Sequence, residues 1–141
     1  MGYKKLLLIA LFGITSPVLA QSNPGDNNSL EAEIIGTWVN VKNYDPYPHS
    51  QMEADTNDFL IFSPNNTYEH INPGSTNIQG EWKLCSGTVK KSLEISYYLG
   101  ARFPCGENPR EECFIDEKGV LNFHILGRHG VCEIAYKKQL L

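Results

Sequence analysis

The chain has 141 residues, 41% of them hydrophobic, and a formal net charge of -4, which gives room for one domain with a single core and not for two. The acidic balance excludes nucleic acid as the natural partner, since phosphate backbones would be repelled. It also argues against adhesion to anionic membranes, and otherwise reads as ordinary solubility.

The first residues are MGYKKLLLIALFGITSPVLA. Lys4 and Lys5 precede a short apolar run, and Val18-Leu19-Ala20 supplies the residues a signal peptidase reads, so residues 1–20 are predicted to be a signal peptide cut near Ala20-Gln21. The run is too short to cross a bilayer and Pro17 interrupts its end, so no membrane insertion is expected. The mature protein is expected to be secreted or periplasmic. Without the two lysines, ten basic residues face sixteen acidic ones, a net charge of -6.

Residues 21–29 are polar, with Pro24 and Gly25, and read as a flexible leader. The folded domain is expected over residues 30–141. Leu30 to Ile35 suits one helical turn before the first strand.

Eight short apolar or alternating runs follow: Gly36 to Asn43, Asp58 to Ser63, Thr67 to Ile71, Ile78 to Cys85, Ser92 to Leu99, Glu112 to Asp116, Val120 to Leu126 and Val131 to Lys137. Turn residues separate them, among them Pro64-Asn65-Asn66, Pro73-Gly74, Asp116-Glu117-Lys118-Gly119 and Gly127-Arg128-His129-Gly130. Alternation puts Ile78, Gly80, Trp82 and Leu84 on one face. It does the same for Leu93, Ile95, Tyr97 and Leu99, for Leu121, Phe123 and Ile125, and for Cys132, Ile134 and Tyr136. Period two with one apolar face predicts half-buried antiparallel strands. Pro48 to Asp58 carries the one further helical signal, with Ser50 as cap and Glu53 three residues on.

Eight strands with tight connections remove their exposed edges by closing, so the fold class expected is all-β, an eight-stranded antiparallel up-and-down barrel. An immunoglobulin-type sandwich is disfavoured because both Trp residues precede every cysteine. The four cysteines, Cys85, Cys105, Cys113 and Cys132, predict two disulfides in an exported chain, since their spacings fit no common zinc pattern. Three connectivities are open. The sequential one, Cys85–Cys105 with Cys113–Cys132, is preferred, each closed loop contributing about 3 kcal/mol.

Ile34-Ile35-Gly36-Thr37-Trp38 heads the first strand. Gly-x-Trp at this place resembles the first signature of the lipocalin family, and Phe59 to Phe62, Asn65-Asn66-Thr67-Tyr68 and Gly80-Glu81-Trp82 look like its small exported bacterial members. The resemblance implies structural roles for Gly36 and Trp38, the Trp plugging one barrel end and the Gly letting the strand bend. It also implies a basic partner for the Trp late in the barrel, for which Lys137 is the candidate, Arg128 falling in a turn.

Tyr68, Trp82, Tyr97, Phe123 and Tyr136 are the residues expected in the barrel interior, as core or as the lining of a site for a small hydrophobic ligand. The histidines, His49, His70, His124 and His129, show no ligand-type spacing and read as scattered surface residues. There is no Gly-x-Ser-x-Gly elbow and no phosphate-binding glycine loop. A non-enzymatic monomer without metal or cofactor is therefore expected, holding a small hydrophobic molecule in the barrel. The alternative is an inhibitor or partner-binding module acting on a protein partner. Its contact would be the Tyr44 to Asp58 loop or the stapled loop Gly100 to Glu112, the latter presenting Arg102, Phe103 and Arg110.

Overall fold

The computed structural model describes residues 25–47, 50–87, 90–106 and 111–140; the stretch expected to be a signal peptide, the start of the expected leader, His49 and Arg110 lie outside them. One helix, α1 (Gly25–Ile34), precedes ten strands: β1 (Gly36–Asp45), β2 (Ser50–Met52), β3 (Phe59–Phe62), β4 (Thr67–Ile71), β5 (Ile78–Leu84), β6 (Lys91–Tyr98), β7 (Ala101–Phe103), β8 (Glu111–Ile115), β9 (Val120–Gly127) and β10 (Gly130–Lys138). Eight of them run in the order β10-β9-β8-β6-β5-β4-β3-β1, and β1 pairs back onto β10, closing an antiparallel barrel. The seal is a ladder from Trp38↔Lys138 to Tyr44↔Glu133, broken by a bulge at Val41. The short β2 extends β1 and the short β7 pairs with β6. The eight barrel strands are the eight runs read from alternation.

Three local predictions are corrected. The helix spans Gly25–Ile34, so it takes in part of the leader and exceeds one turn. Of the Pro48 to Asp58 stretch, the described residues 50–58 are not helical: β2 is followed by an irregular segment. Asp55 there takes the amide of Asn57 on its carboxylate at 2.9 Å, and Asp55 N donates to Asn40 Oδ1 at 3.0 Å. Such side-chain bonds offer the backbone an alternative to the helix. The disulfide Cys85–Cys105 forms, with a Cα separation of 5.3 Å, whereas Cys113 and Cys132 are free thiols. Cys113 sits opposite Phe123, and Cys132 opposite Ile125, on either side of β9. Two strand spacings of about 4.8 Å separate them, beyond the roughly 7 Å between Cα atoms that a disulfide tolerates.

One barrel end is plugged from α1. Trp38 is buried, and its Nε1 donates to Ile34 O at 2.8 Å. Gly36, at φ +133°, turns the chain from helix to strand, and a Cβ there would lie 3.0 Å from Lys138 Cε. The basic residue that meets this corner is Lys138, one position past the Lys137 candidate. Its Nζ donates to Ala32 O at 3.1 Å and Glu33 O at 2.7 Å, carbonyls left open at a helix C-terminus, where a cation is favoured.

Candidate functional site

Strand phase decides which predicted residues share the interior. Tyr68, Trp82, Phe123 and Tyr136 are buried inside the barrel. Tyr97 is not: it is 63% exposed, and Tyr98 takes the inward place. The cause is a bulge in β6. Ile95 pairs with Phe103 and Tyr98 with Ala101, so Ser96 and Tyr97 together oppose the single residue Arg102. The extra residue inverts the alternation beyond Ile95.

The interior is occupied by the protein's own rings. Tyr98 stacks on Phe123 with centroids 4.3 Å apart, and Phe103 and Tyr136 meet the same ring edge-on at 5.2 and 5.8 Å. Toward the open end the rings carry a polar network. Tyr98 and Tyr136 share a hydrogen bond between hydroxyls. Tyr136 OH reaches Asp58 Oδ2 at 3.1 Å, and His70 Nε2 lies 2.8 Å from Asp58 Oδ1. His70 is 2% exposed and Asp58 6%, so the expectation of a surface histidine fails for His70. Burial pushes the Tyr98 phenol well up; for Tyr136 burial and then the Asp58 carboxylate do the same. Among the described residues, no buried side-chain polar atom lacks a partner. The Asp58–His70 pair has the composition of an acid–base dyad, but both side chains are sealed from solvent.

The signal for this network was in the alternation. Asp58 shares its phase with Leu60 and Phe62, His70 with Tyr68, and Asn40 with Trp38, all buried. Polarity hid them, because buried polar residues are rare unless paired.

The loop residues separate as well. Phe103 is fully buried and belongs to the core, so it presents nothing to a partner. Arg102, between two buried neighbours on β7, points outward and is exposed. Tyr97, placed by alternation among the interior residues, therefore shares the outer face of the β6–β7 hairpin with Arg102. The turn between them is Leu99-Gly100, with φ of +48° and +80°. Positive φ at both central residues matches the twist of a two-residue hairpin, where Asn or Gly is the usual first residue. Leu99 is a bulky residue in the left-handed region, 48% exposed. The hairpin is pinned from inside by Tyr98 and Phe103, and Cys105, two residues past β7, is tied to Cys85.

Below the hairpin the outer wall dips into a hollow of about 390 Å³ floored by β5 and β6. Lys83 and Glu94 pair across it at 3.2 Å. The Lys83 ammonium, with help from the Cys105 amide and Arg102, holds the Glu94 carboxyl below its usual range. No protein-family model, no curated protein and no solved structure matches the chain.

Proposed function

We propose that the protein is an exported, non-enzymatic recognition module that binds a partner from its outer wall through the β6–β7 hairpin. The observation that carries this reading is Leu99. A side chain in the left-handed conformation costs about 1 kcal/mol or more relative to glycine. Leu99 recovers only part of that by burial in the fold, since it stands 48% exposed. A strained, exposed apolar residue beside exposed Tyr97 and Arg102, on a base fixed by two core rings and a disulfide, suits contact with a partner. Aromatic and Arg side chains are common anchors at interfaces, and a rigid base loses little ordering entropy on binding.

A carrier of a small hydrophobic molecule would need room among Tyr98, Phe103, Phe123 and Tyr136, and these rings already touch one another. The deciding experiment compares the native protein with Leu99→Gly. The module reading expects the variant to be more stable by about 1 kcal/mol and to lose retention of the partner from the host's extracellular or periplasmic fraction. Stoichiometric binding of an environment-sensitive apolar dye by the folded native protein, abolished by changing Phe123, would restore the carrier reading instead.

A further inference from the structure

Two stretches of the chain match the acceptor pattern for N-glycosylation, Asn-x-Ser/Thr with no proline at x: Asn27-Asn28-Ser29 and Asn65-Asn66-Thr67. The pattern is short enough to arise by chance. The fold separates the two, because a transferase that reads the asparagine and the hydroxyl two residues on must meet both side chains from one side.

The first stretch lies inside α1. Residues i and i+2 of a helix do not face each other, so that requirement fails there. The second stretch forms the β3–β4 turn. Residues 64–67 are all exposed, standing between the buried rings of Phe62 and Tyr68. The Ser63 amide donates to Thr67 O at 2.9 Å and the Asn66 amide to Ser63 O at 3.2 Å, closing the turn. Asn66 takes φ +62°, a left-handed conformation that asparagine tolerates better than most residues. The turn folds Thr67 back onto Asn65. The Thr67 hydroxyl donates to Asn65 Oδ1 at 2.6 Å, and the Thr67 amide donates to the same oxygen at 3.3 Å. Both bonds hold the Asn65 carboxamide by its oxygen. Its nitrogen, Nδ2, has no partner among the described residues.

Acceptor and hydroxyl are thus side by side on an exposed turn, with the reacting nitrogen left open. A glycan is bulky and hydrophilic and belongs at such a surface. We propose that Asn65 is a glycosylation site that takes its sugar from a glycosyl diphosphate. Asn65 Nδ2 forms a bond to the anomeric carbon. The bond from that carbon to the diphosphate oxygen breaks, its electron pair leaves with the diphosphate, and one Nδ2 proton passes to the transferase. Nothing is oxidised or reduced. A polyprenol or a nucleoside can carry the diphosphate, and the reacting chemistry is the same. The inference is independent of the β6–β7 hairpin, so either can fail without the other.

The test is peptide mass spectrometry of the protein isolated from its native host. Expected is added sugar mass on the peptide holding Asn65, with Asn27 unmodified. An oligosaccharide identifies the polyprenol-linked donor, and a single sugar residue the nucleotide-linked one. Asn65→Gln should abolish the added mass. Thr67→Ala keeps the acceptor and removes the hydroxyl, and should lower occupancy at least tenfold, whereas Thr67→Ser should retain it. All three changes fall in an exposed turn, and melting temperature confirms that each variant is folded. Bare Asn65 in the native protein overturns the proposal, as does sugar on Asn27 alone or full occupancy in Thr67→Ala. Loss of partner retention in Leu99→Gly would still keep the hairpin reading in each of those cases.

Discussion

The hydroxyl of Tyr68, a residue of β4, donates to the backbone carbonyl of Tyr97 on β6, crossing over β5 at Gly80. The crossing bridges a gap in the barrel wall. The β5–β6 ladder runs from Leu84↔Leu93 to Trp82↔Ile95 and stops there. Above it, two side-chain bonds take over: Tyr68 to Tyr97 O, and the Glu81 amide to Ser96 Oγ. A Cβ at position 80 would stand 2.5 Å from Tyr68 Cε1 and 2.8 Å from Ser96 Oγ.

Gly80→Ala should therefore destabilise the fold by about 1–3 kcal/mol, the range for an overpacked site. Urea denaturation would measure it. Tyr68→Ala removes the ring that the new methyl strikes, so the double variant should lose less than the sum of the two single losses. Strict additivity would show that the ring and the glycine are not coupled.

Raising the pH should loosen the protein, gently at first and more steeply from about pH 10 upward. Burial lifts the Tyr68 phenol to about 12, and burial is likewise the first cause that raises the Tyr98 and Tyr136 phenols. In the unfolded chain these phenols ionise near pH 10. Above that point the folded state holds more protons than the unfolded one, so the phenols' share of the stability is full below pH 10 and falls as pH rises toward the folded values. Burial raises the Cys113 thiol as well, which starts the decline nearer pH 8.5. Tyrosinate absorbance should show these three phenols silent until the barrel opens.

Asp58→Ala should cost about 3 kcal/mol or more, because it strands the buried His70 ring nitrogen and leaves the Tyr136 hydroxyl only its Tyr98 partner. Tyr136→Phe leaves Asp58 its bond to His70 and should cost nearer 1 kcal/mol. Equal losses in denaturant titrations would mean that Asp58 is not the hub of the network.

Alkylation of the native protein should spare Cys113, which is buried, and peptide mapping should recover Cys85 linked to Cys105 with two alkylatable thiols after unfolding. Replacing the linked pair with serine should cost about 3 kcal/mol, the figure for a loop of this size. Recovery of a Cys113–Cys132 peptide would contradict the interposed β9.

Much of the barrel was legible from period two alone, because one buried face is enough to pin a strand. Alternation failed at Tyr97, since a bulge adds a residue without leaving a mark in composition. It also missed β7, whose three residues Ala101–Phe103 are too few to show a period and sit in a segment rich in proline and charge. The candidate hollow was less legible still. It joins a turn to three strands, and proximity across a sheet depends on register, which local sequence carries only weakly. Lys138 shows the same limit: Gly36 marks where a cation fits, but the register of β10 decides which lysine arrives.

Because β10 both seals the wall against β1 and sends Lys138 to clasp the end of α1, the cylinder is finished only when two stretches about a hundred positions apart in the chain have met. Without that meeting, β1 and β9 offer raw hydrogen-bonding borders, so a version cut before Gly130 would be expected to aggregate instead of folding to a smaller version of itself.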